Sequence, residues 1–389
     1  MVLSDIIALM NDKIVIIGGG ASGLMLASLL PENSAVVIDA NTTLASKMLI
    51  SGGGRCNITN QKLGCGYYRA DCSFIEYALD MFDNNLVIKW FEDRGLESVV
   101  IKNAQYFCKN SAKDIVSILE KEASKQYLLR DEKVVDIQKV QKDFVVKTDK
   151  RELKASRVVV ASGGVSFPKL GASDIGYKIA SSFGHTIVPT APALVGLTLQ
   201  KEQFFFKELS GISCRARVSC GRRVFEDDLL FAHKGLSGPV ILDISLFWDK
   251  GEIEIDFVPD FDWSGIFYSK KLLSTLLPIP KRVTKAFLIQ FGLEDKIPSK
   301  YTKKEIETIK QIGSYKFAPA GTFGYSKAEV TKGGVDTSQI NAYSMQSYIE
   351  EGLYFIGEVL DVTGVVGGYN FQWAFSSAYV CAKDLDLGV

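Results

Sequence analysis

The sequence predicts an α/β protein in which a parallel-sheet domain is interrupted by an inserted module. Three observations predict this fold class. A strand, a glycine turn and a helix start occupy residues 14–27, short β-like runs followed by helical runs fill residues 193–330, and a buried-strand pattern returns near residues 353–357. A chain of 389 residues is also longer than one ordinary core accommodates.

The βαβ unit that opens the pattern has the spacing of a dinucleotide-binding fingerprint. The apolar run at 14–17 leads into GGGASG at 18–23, and a second apolar run follows at 35–38. That second strand ends at Asp39, about 20 residues past the first glycine, where a ribose-binding acid is expected. The sequence therefore predicts a Rossmann-like domain.

Each glycine of the fingerprint has its own role. Gly18 allows the tight turn, Gly20 lets the main chain approach a pyrophosphate, and Gly23 lets helix and strand pack closely, while free amides at the helix start face the anion. Asp39 favours an unphosphorylated ribose, as in FAD or NAD, since a 2′-phosphate would meet a like charge. The alternative is a chance glycine turn, which the flanking strand and helix disfavour.

A second glycine-rich motif, KMLISGGGRCNITN, occupies residues 47–60. Its glycines at 52–54 permit the backbone to approach a flat or phosphorylated ligand. Arg55 supplies a fixed positive fork, and Asn57 and Asn60 both donate and accept hydrogen bonds. A flexible surface loop is the alternative, and the density of specific chemistry favours a ligand site.

A third motif lies near the other end of the chain, at GEVLD (357–361) and GGYNFQW (367–373). A strand that ends in glycine and an acid can place a carboxylate on polyol hydroxyls. A glycine-led helix start can aim amides at a flavin's pyrimidine carbonyl and stabilise the anion of the reduced flavin. Together the two ends of the chain favour FAD over a passing nicotinamide, because a bound flavin needs contacts from adenine through to isoalloxazine.

The predicted domain boundaries follow from these patterns. We expect helices over residues 73–125, strands in the alternating runs at 133–138 and 144–147, and a buried strand at 158–161. The expected division is a first part of the FAD-binding domain at 1–192, a β-barrel-like insert at 193–263 and 317–330, a helical basic insert at 264–316, and a completing part of the FAD-binding domain at 331–389.

Composition excludes several classes of protein. Hydrophobic residues at 47% and charged residues at 23% exclude wholesale disorder, and no apolar run approaches the roughly 18 to 20 residues of a membrane-spanning helix. The start, MVLSDIIALMND, lacks a secretory pattern, so we expect a cytoplasmic protein without a membrane partner. Seven cysteines without a C-x-x-C pair argue against a disulfide framework and a closed zinc site, and two histidines argue against a histidine-rich metal centre. No metal is expected.

Charge is balanced globally and uneven locally. The 45 basic and 45 acidic residues cancel, yet residues 270–316 hold eleven basic and four acidic side chains, a net charge of +7. Such a stretch is either a solvated helix face or a surface for a phosphate-rich ligand such as RNA. Tyr301 and Phe287 are too few to predict a stacking platform.

Five motifs together resemble one family. They are GGGASG, KMLISGGGRCNITN, FAHKGLSGPVILDIS (231–245), AEVTKGGVDT (328–337) and GLYFIGEVLDVTGVVGGYNFQWAFSSAYV (352–380). The combination closely resembles the BaiN/RdsA family of NAD(P)/FAD-dependent oxidoreductases over nearly the whole chain. The resemblance implies a Rossmann-like FAD-binding domain of the glutathione-reductase and fumarate-reductase type, interrupted by an insert with a β-barrel part and a helical part.

The resemblance, together with the motifs, also implies a set of cofactor-binding residues. Val134 is expected near the adenine and Gly163 near the pyrophosphate. The full set of candidates for FAD binding is Gly18, Gly20, Ala21, Ser22, Gly23, Asp39, Ala40, Lys47, Ser51, Gly52, Gly53, Gly54, Arg55, Cys56, Asn57, Val134, Ala161, Gly163, Gly357, Glu358, Asp361, Gly367, Gly368, Asn370 and Phe371.

The chain departs from the family pattern at three places. Where a Gly-Arg-x-Phe-Pro stretch is usual, residues 103–108 read Asn-Ala-Gln-Tyr-Phe-Cys, so substrate specificity is expected to differ if that loop borders substrate. Ala232 replaces a usual threonine, and residues 378–382 replace Gly-Tyr-Val-Ala-Gly. We interpret the last two as packing changes.

The resemblance implies hydride transfer from reduced flavin to an activated C=C bond, in a small molecule such as a steroid-like enone or in a uracil of ribosomal RNA. Without a second glycine fingerprint, NAD(P)H is expected to visit as a transient reductant. The alternatives are an oxidase of an amine or small metabolite that uses oxygen, and a non-enzymatic flavin-sensing or RNA-binding protein. No C-x-x-C or C-x₄-C pair supports disulfide-reductase chemistry.

Reduction of a double bond needs an acid that protonates the adjacent carbon. Cys56, within the second motif, is one candidate, and its alternative role is a small polarizable residue packed against the ring. His233, in a polar loop of the insert, is the other catalytic candidate, with a structural role as its alternative. His185 is expected to be structural.

Overall fold

A computed structural model describes residues 13–387. From the sequence we expect the segment before Lys13 to be either an optional helix or an addition upstream of a real start at Met10. This segment lies outside the described residues. The chain forms two compact units, one made of the residues up to Ala191 together with those from Val330 onward, and one made of Pro192–Glu329. Within the described part of the chain, no helix is long and apolar enough to cross a membrane.

The strands follow one another along the chain, and their bounds fix the labels used below. They are β1 (Ile14–Ile17), β2 (Ala35–Ile38), β3 (Asn57–Asn60), β4 (Tyr68–Arg69), β5 (Ser98–Ile101), β6 (Gln105–Cys108), β7 (Tyr127–Leu129), β8 (Val134–Val140), β9 (Asp143–Thr148), β10 (Glu152–Ala155), β11 (Arg157–Val160), β12 (Ile187–Ala193), β13 (Leu197–Thr198), β14 (Ser213–Cys220), β15 (Arg223–Ala232), β16 (Gly235–Ser237), β17 (Ile253–Asp256), β18 (Tyr315–Phe317), β19 (Gly321–Thr322), β20 (Val330–Val335), β21 (Leu353–Phe355) and β22 (Thr363–Gly364).

The α-helices are labelled in the same way. They are α1 (Ala21–Leu29), α2 (Ser46–Ile50), α3 (Cys72–Met81), α4 (Asn84–Glu92), α5 (Ala112–Ala123), α6 (Ile175–Ser182), α7 (Pro239–Phe247), α8 (Leu273–Leu276), α9 (Lys281–Gln290), α10 (Lys303–Lys310) and α11 (Tyr369–Leu387).

The first unit is built on a five-stranded parallel sheet with the strand order β21-β11-β1-β2-β7. All four residues of β1 and of β2 are buried, as expected for parallel strands that are covered on both faces. Helix α11 packs against α1 and α3. Because β21 lies beside β11 in this sheet, the last part of the chain completes the domain that the first part begins.

Two strands interrupt the region that was expected to be helical throughout. Within residues 73–125, helices α3, α4 and α5 are present, but β5 and β6 lie between α4 and α5, and the three-stranded antiparallel sheet to which they belong has the order β3-β6-β5. The run Val99-Val100-Ile101 is β-branched and therefore favours a strand. The helical expectation for residues 98–108 is wrong because that local signal was outweighed by the amphipathic spacing around it.

The second unit contains a seven-stranded antiparallel sheet with the order β18-β17-β14-β15-β16-β13-β19. Its core combines sheet residues such as Phe231 and Ile255 with Phe287 of α9 and Ile309 of α10. Sheet and helices of this unit thus share one hydrophobic core. Tyr301 and Phe287 belong to that core and are buried, so neither is available for stacking on a ligand.

One disulfide corrects the reading of the cysteines. Cys65 and Cys72 are bonded, whereas Cys56, Cys108 and three others are free. Counting cysteines and looking for short C-x-x-C spacing missed this pair, because the turn before α3 reverses the chain and brings the Cα atoms of residues seven positions apart to 5.3 Å.

Candidate functional site

The glycine turn between β1 and α1 combines two tightly packed glycines with one open one. A Cβ on Gly18, whose φ is +108°, would lie 2.4 Å from the carbonyl oxygen of Ala161, and a Cβ on Gly23 would lie 1.9 Å from the carbonyl oxygen of Gly18. A Cβ on Gly20 would meet no atom within 4 Å. The turn therefore needs two glycines for its own packing, while the third faces open space in front of the helix N-terminus.

The end of β2 holds a fixed carboxylate. Asp39 accepts hydrogen bonds from the backbone N–H of Gly19 at 2.7 Å through one oxygen and from that of Asn41 at 2.7 Å through the other. These bonds tie the acid to the glycine turn and orient it at the carboxyl end of the sheet. Ala21 and Ala40 are half-buried beside these two features.

The second motif forms α2, a left-handed glycine turn and then β3. Gly52, Gly53 and Gly54 have φ values of +55°, +65° and +84°, which glycine adopts without strain. A Cβ on Gly52 would press on the ring of Phe107 at 2.8 Å, whereas Gly53 and Gly54 face open space. Ser51 donates to the carbonyl oxygen of its own helix at Met48, which closes the end of α2.

Two polar side chains follow the turn. Arg55 is exposed, with its guanidinium 5.6 Å from the centroid of the Phe107 ring. Asn57 donates its amide to Gln105 Oε1 at 2.7 Å, but its buried Oδ1 has no hydrogen-bond partner among residues 13–387. An unpaired buried acceptor is costly, so this oxygen is suited to receive a hydrogen bond from a ligand. Sequence analysis did not single out Gln105, because this residue lies in the stretch at 103–108 where the chain departs from the family pattern.

The third motif meets both of the others. Gly357 has a φ of +73°, and a Cβ there would lie 2.6 Å from Oγ of Ser22 at the start of α1. Glu358 forms an ion pair with Lys47 at 2.8 Å and accepts the backbone N–H of Thr331 at 2.8 Å. The structure therefore brings together residues that are more than 300 positions apart in the sequence.

Asp361 and Asn370 have partners that the sequence did not indicate. Oδ1 of Asp361 pairs with Arg69 at 2.8 Å and accepts the backbone N–H of Gly333 at 3.2 Å. The side-chain amide of Asn370 both accepts from and donates to the backbone of Gly364 at 2.9 Å. Arg69 lies in β4, remote in sequence from every motif, and no spacing rule would have found it.

The glycines before α11 let its start lie against β3. A Cβ on Gly368 would be 2.6 Å from Cα of Thr59, and one on Gly367 would be 2.8 Å from the ring of Tyr369. Phe371 is half-buried in the first turn of the helix. The N-terminus of α11 thus adjoins the strand that carries the second motif.

The remaining cofactor candidates lie along β8 and after β11. Val134 is half-buried and pairs with Thr148 in a three-stranded antiparallel sheet. Ala161 is buried, and its carbonyl oxygen is the atom that lies against Gly18. Gly163 has a φ of +71° and faces open space, so its backbone is accessible to a ligand.

The two candidate proton donors differ in their surroundings. Cys56 is fully buried, and burial, reinforced by Cys108, raises the pKa of its thiol well above the ordinary value, while burial also raises the pKa of Cys108 to about 11. A neutral, packed thiol agrees with the alternative role of Cys56. His233 is exposed in the turn between β15 and β16, and its Nδ1 lies 3.0 Å from Oγ of Ser210.

His185 has the structural role that was expected for it. Its ring lies between the carbonyl oxygen of Ala180 at 3.1 Å and Oγ of Ser347 at 2.7 Å, and it contacts Phe355 edge-on. Burial lowers the pKa of His185, so the neutral ring is favoured.

These features fit a bound flavin dinucleotide. Open backbone at Gly20 and Gly163 suits a diphosphate, the fixed carboxylate of Asp39 suits a ribose, and the unpaired Oδ1 of Asn57 suits a ring N–H. Fold and site together define a dinucleotide-binding protein of the Rossmann class.

The chain belongs to the HI0933-like family, since the family model described as "HI0933-like protein Rossmann domain" matches residues 12–384. It is 38% identical to the ribosomal RNA dihydrouridine synthase of Haemophilus influenzae, covering 95% of this chain and 98% of the relative, and 37% identical to that of Escherichia coli, covering 95% and 97%. It is 28% identical to the 3-dehydro-bile acid delta(4,6)-reductase of Clostridium scindens, covering 96% and 98%. The resemblance to the BaiN/RdsA family is confirmed, and the family places the chain among the flavoprotein oxidoreductases.

Solved structures confirm the fold class. Escherichia coli quinol fumarate reductase FrdA matches with a TM-score of 0.50 and 11% identity, covering 96% of this chain and 69% of that one. A quinol-fumarate reductase with menaquinol molecules matches with the same TM-score and 13% identity, covering 96% and 70%. At such low identity the likeness concerns the fold alone.

Proposed function

We propose that this protein is an FAD-dependent reductase of an activated C=C bond, with a uracil in ribosomal RNA as the favoured substrate and NADH or NADPH as the electron donor. The observation that carries this proposal is the similarity, over 95% of the chain and at 38% and 37% identity, to two ribosomal RNA dihydrouridine synthases. The bile acid reductase shares less of the sequence, and its name also describes a reduction.

The residues of the first unit would hold the cofactor. Backbone amides around Gly20 and Gly163 would bind the diphosphate, and Asp39 would bind the adenosine ribose. The unpaired Oδ1 of Asn57 would accept a hydrogen bond from the flavin ring. When bound, the flavin supplies the hydride that adds to the substrate's double bond.

The start of α11 would contribute electrostatic stabilisation. Amides at a helix N-terminus carry a partial positive charge, and this helix of 19 residues begins directly after Gly367 and Gly368. Placed beside β3, these amides would favour negative charge on the pyrimidine part of the flavin. The role needs the close approach to Thr59 that only glycine permits at position 368.

Charge in the second unit supports an RNA substrate over a small one. Segment 270–316 carries a net charge of +7 in a chain with no net charge. Seven of its lysines, at 270, 271, 281, 285, 300, 303 and 304, form no ion pair within the part of the chain that the structure describes. When lysines without an ion-pair partner bind phosphates, the counterions of the RNA are released. The affinity for RNA therefore depends on the salt concentration.

An anaerobic experiment tests the proposal. The flavin-loaded protein is reduced with NADH or NADPH, and its reoxidation is followed with unmodified ribosomal RNA, with a steroid enone and with oxygen as separate acceptors. We expect fast reoxidation by the RNA, formation of dihydrouridine and slow reaction with oxygen. Fast peroxide formation without reaction with RNA would instead identify an oxidase, and preference for the enone would identify a small-molecule reductase.

A further inference from the structure

The turn before α8 exposes two aromatic rings on an anchored backbone. Tyr268 is 92% exposed and Phe267 is 42% exposed, while the preceding residue, Ile266, is 5% exposed and belongs to the core of the second unit. Exposed rings next to a residue that is buried in the core indicate an ordered feature of the surface, because a frayed segment would have no residue in the core.

A second turn packs against the first. Residues 266–268 lie against Pro298–Lys300. The backbone N–H of Leu273 donates to the carbonyl oxygen of Lys296 at 3.0 Å, and Ser274 donates to Asp295. These bonds fix residues 266–274 next to residues 295–300, so the features of both turns lie on one part of the surface.

Five basic side chains lie in these two segments or follow directly after them. Lys270, Lys271 and Lys300 are exposed in the two turns, and Lys303 and Lys304 follow in the first turn of α10. None of the five forms an ion pair among residues 13–387. Other lysines of the same segment are neutralised, since Lys296, Lys310 and Lys316 pair with Glu294, Glu307 and Glu254, respectively.

The nearby acids are already engaged within the unit. Asp295 binds the backbone N–H and the hydroxyl of Ser274. Glu305 closes the capping box of α10 on Thr302. Neither carboxylate pairs with a lysine of this surface, so its positive charge stays uncompensated within the described chain.

We infer that this aromatic–basic patch, defined as Phe267, Tyr268, Lys270, Lys271, Lys300, Lys303 and Lys304, binds unpaired nucleotides of the RNA substrate. Bases offer flat faces that stack on exposed aromatic rings, and each nucleotide brings a phosphate that a lysine neutralises. Duplex RNA hides its base faces, so the rings select single-stranded or looped RNA. The inference rests on the proposed function, in which RNA is the substrate.

Two double variants and one control test the patch. F267A/Y268A removes the rings, and K270E/K271E reverses two charges. The control K113E/K142E reverses two exposed lysines of the first unit that form no ion pair with any residue the structure describes. Binding of a fluorescent unmodified ribosomal RNA transcript is measured at several salt concentrations, alongside a single-stranded and a duplex RNA of equal length. Flavin content and NAD(P)H-dependent flavin reduction report on the integrity of each variant.

We expect F267A/Y268A to weaken binding of single-stranded RNA at least about fivefold and binding of duplex RNA less. K270E/K271E should weaken both and flatten the salt dependence, by about 0.7 in the log–log slope for each lost phosphate contact on a single strand. The control should match the wild type. Equal affinities in all four proteins would overturn the inference, as would a ring variant that loses duplex and single-stranded binding equally.

The outcomes separate the patch from the proposed function. If the wild type forms dihydrouridine and the patch variants do so as well as the control, the function stands and the patch is wrong. If the patch variants lose RNA binding while no ribosomal RNA reoxidises the wild-type flavin, RNA binding by the patch stands and the reductase proposal fails. A wild type that binds no RNA would contradict both.

Discussion

Lys47 and Glu358, which are 311 positions apart in the sequence, form an ion pair at 2.8 Å. Lys47 lies in α2 and Glu358 in the turn after β21, so the pair joins the second glycine motif to the C-terminal motif. Glu358 also accepts the backbone N–H of Thr331. One carboxylate thus holds three segments of the cofactor domain together.

Replacing Glu358 separates these two roles. Glu358→Ala removes the acceptor for the Thr331 N–H and should lower the free energy of unfolding by about 1–3 kcal/mol. Glu358→Gln keeps an acceptor and loses only a partly exposed ion pair, which contributes about 0–1 kcal/mol. Urea unfolding of the flavin-free proteins measures both. Equal losses in the two variants would show that the hydrogen bond to Thr331 contributes little.

Gly20 and Gly23 form a matched pair for testing the cofactor site. Gly23→Ala would place Cβ 1.9 Å from a carbonyl oxygen, so we expect destabilisation by at least about 1–3 kcal/mol. Gly20→Ala has free space and a φ of −82° that alanine adopts readily, so its stability should stay within about 1 kcal/mol. Its methyl group would occupy the space expected for the diphosphate.

The measurement for this pair is flavin bound per protein after gel filtration, together with thermal unfolding. Gly20→Ala should fold and lose most of its flavin. A Gly20→Ala protein that retains full flavin would show that the open space at this glycine is not the diphosphate site.

The fold was predictable where signals were local. The strand at 14–17, the glycine turn and the helix after it follow from apolar runs and glycine spacing, and the structure has them as β1 and α1. The helix expected at 114–123 is α5, which begins two residues earlier at Ala112 because Ser111 forms a capping box with Asp114. Strands β5 and β6 were missed, since the helical spacing around them outweighed the local β-branched run and the pairing of β6 with β3 is a tertiary contact.

Cys56→Ala tests the first candidate proton donor. Because burial raises the pKa of this thiol, we expect the variant to keep turnover within about threefold of wild type, a change of less than about 1 kcal/mol in the barrier. Reoxidation of reduced flavin by substrate is the measurement, with flavin content as the control. A variant that retains FAD but loses most of its reoxidation would establish Cys56 as the acid.

His233→Gln tests the second candidate. If the imidazole donates the proton, substrate-dependent reoxidation should fall about 10²–10⁴-fold while NAD(P)H-dependent reduction of the flavin is unchanged. Ser210→Ala, which removes only the contact to Nδ1, is the matched control and should have a smaller effect. Reoxidation by His233→Gln at the wild-type rate would exclude this role.

His185 makes the stability of the first unit depend on pH. Its folded pKa lies below the usual 6.5, so the unfolded chain takes up the proton first as pH falls. The stabilisation by the neutral ring is therefore present above about pH 6.5 and is lost as pH falls through the folded pKa. His185→Gln should be less stable at pH 7.5 and show a flatter decline toward pH 5.5 in urea unfolding. Parallel pH curves for the two proteins would contradict this.

The site was predictable in its motifs and not in their connections. Glycine spacing and acid position pointed to Gly18, Gly20, Gly23 and Asp39 without reference to tertiary structure. The partners of Asp361 and Asn57, which are Arg69 and Gln105, depend on how β4 and β6 lie beside the motifs. No periodicity in a single sequence encodes contacts between such remote positions.

The position of β21 beside β11 has a consequence for synthesis on the ribosome. The sheet that contains β1 cannot be completed until β21 has emerged, whereas residues 192–329 contain all of their own core and are made before β21. At about 5–20 residues per second, the N-terminal part waits roughly 10 to 30 seconds while residues 192–355 are made. Ribosome-bound chains arrested when residue 329 has left the exit tunnel and β21 is still inside it should therefore resist protease within the second unit and be cleaved before residue 191.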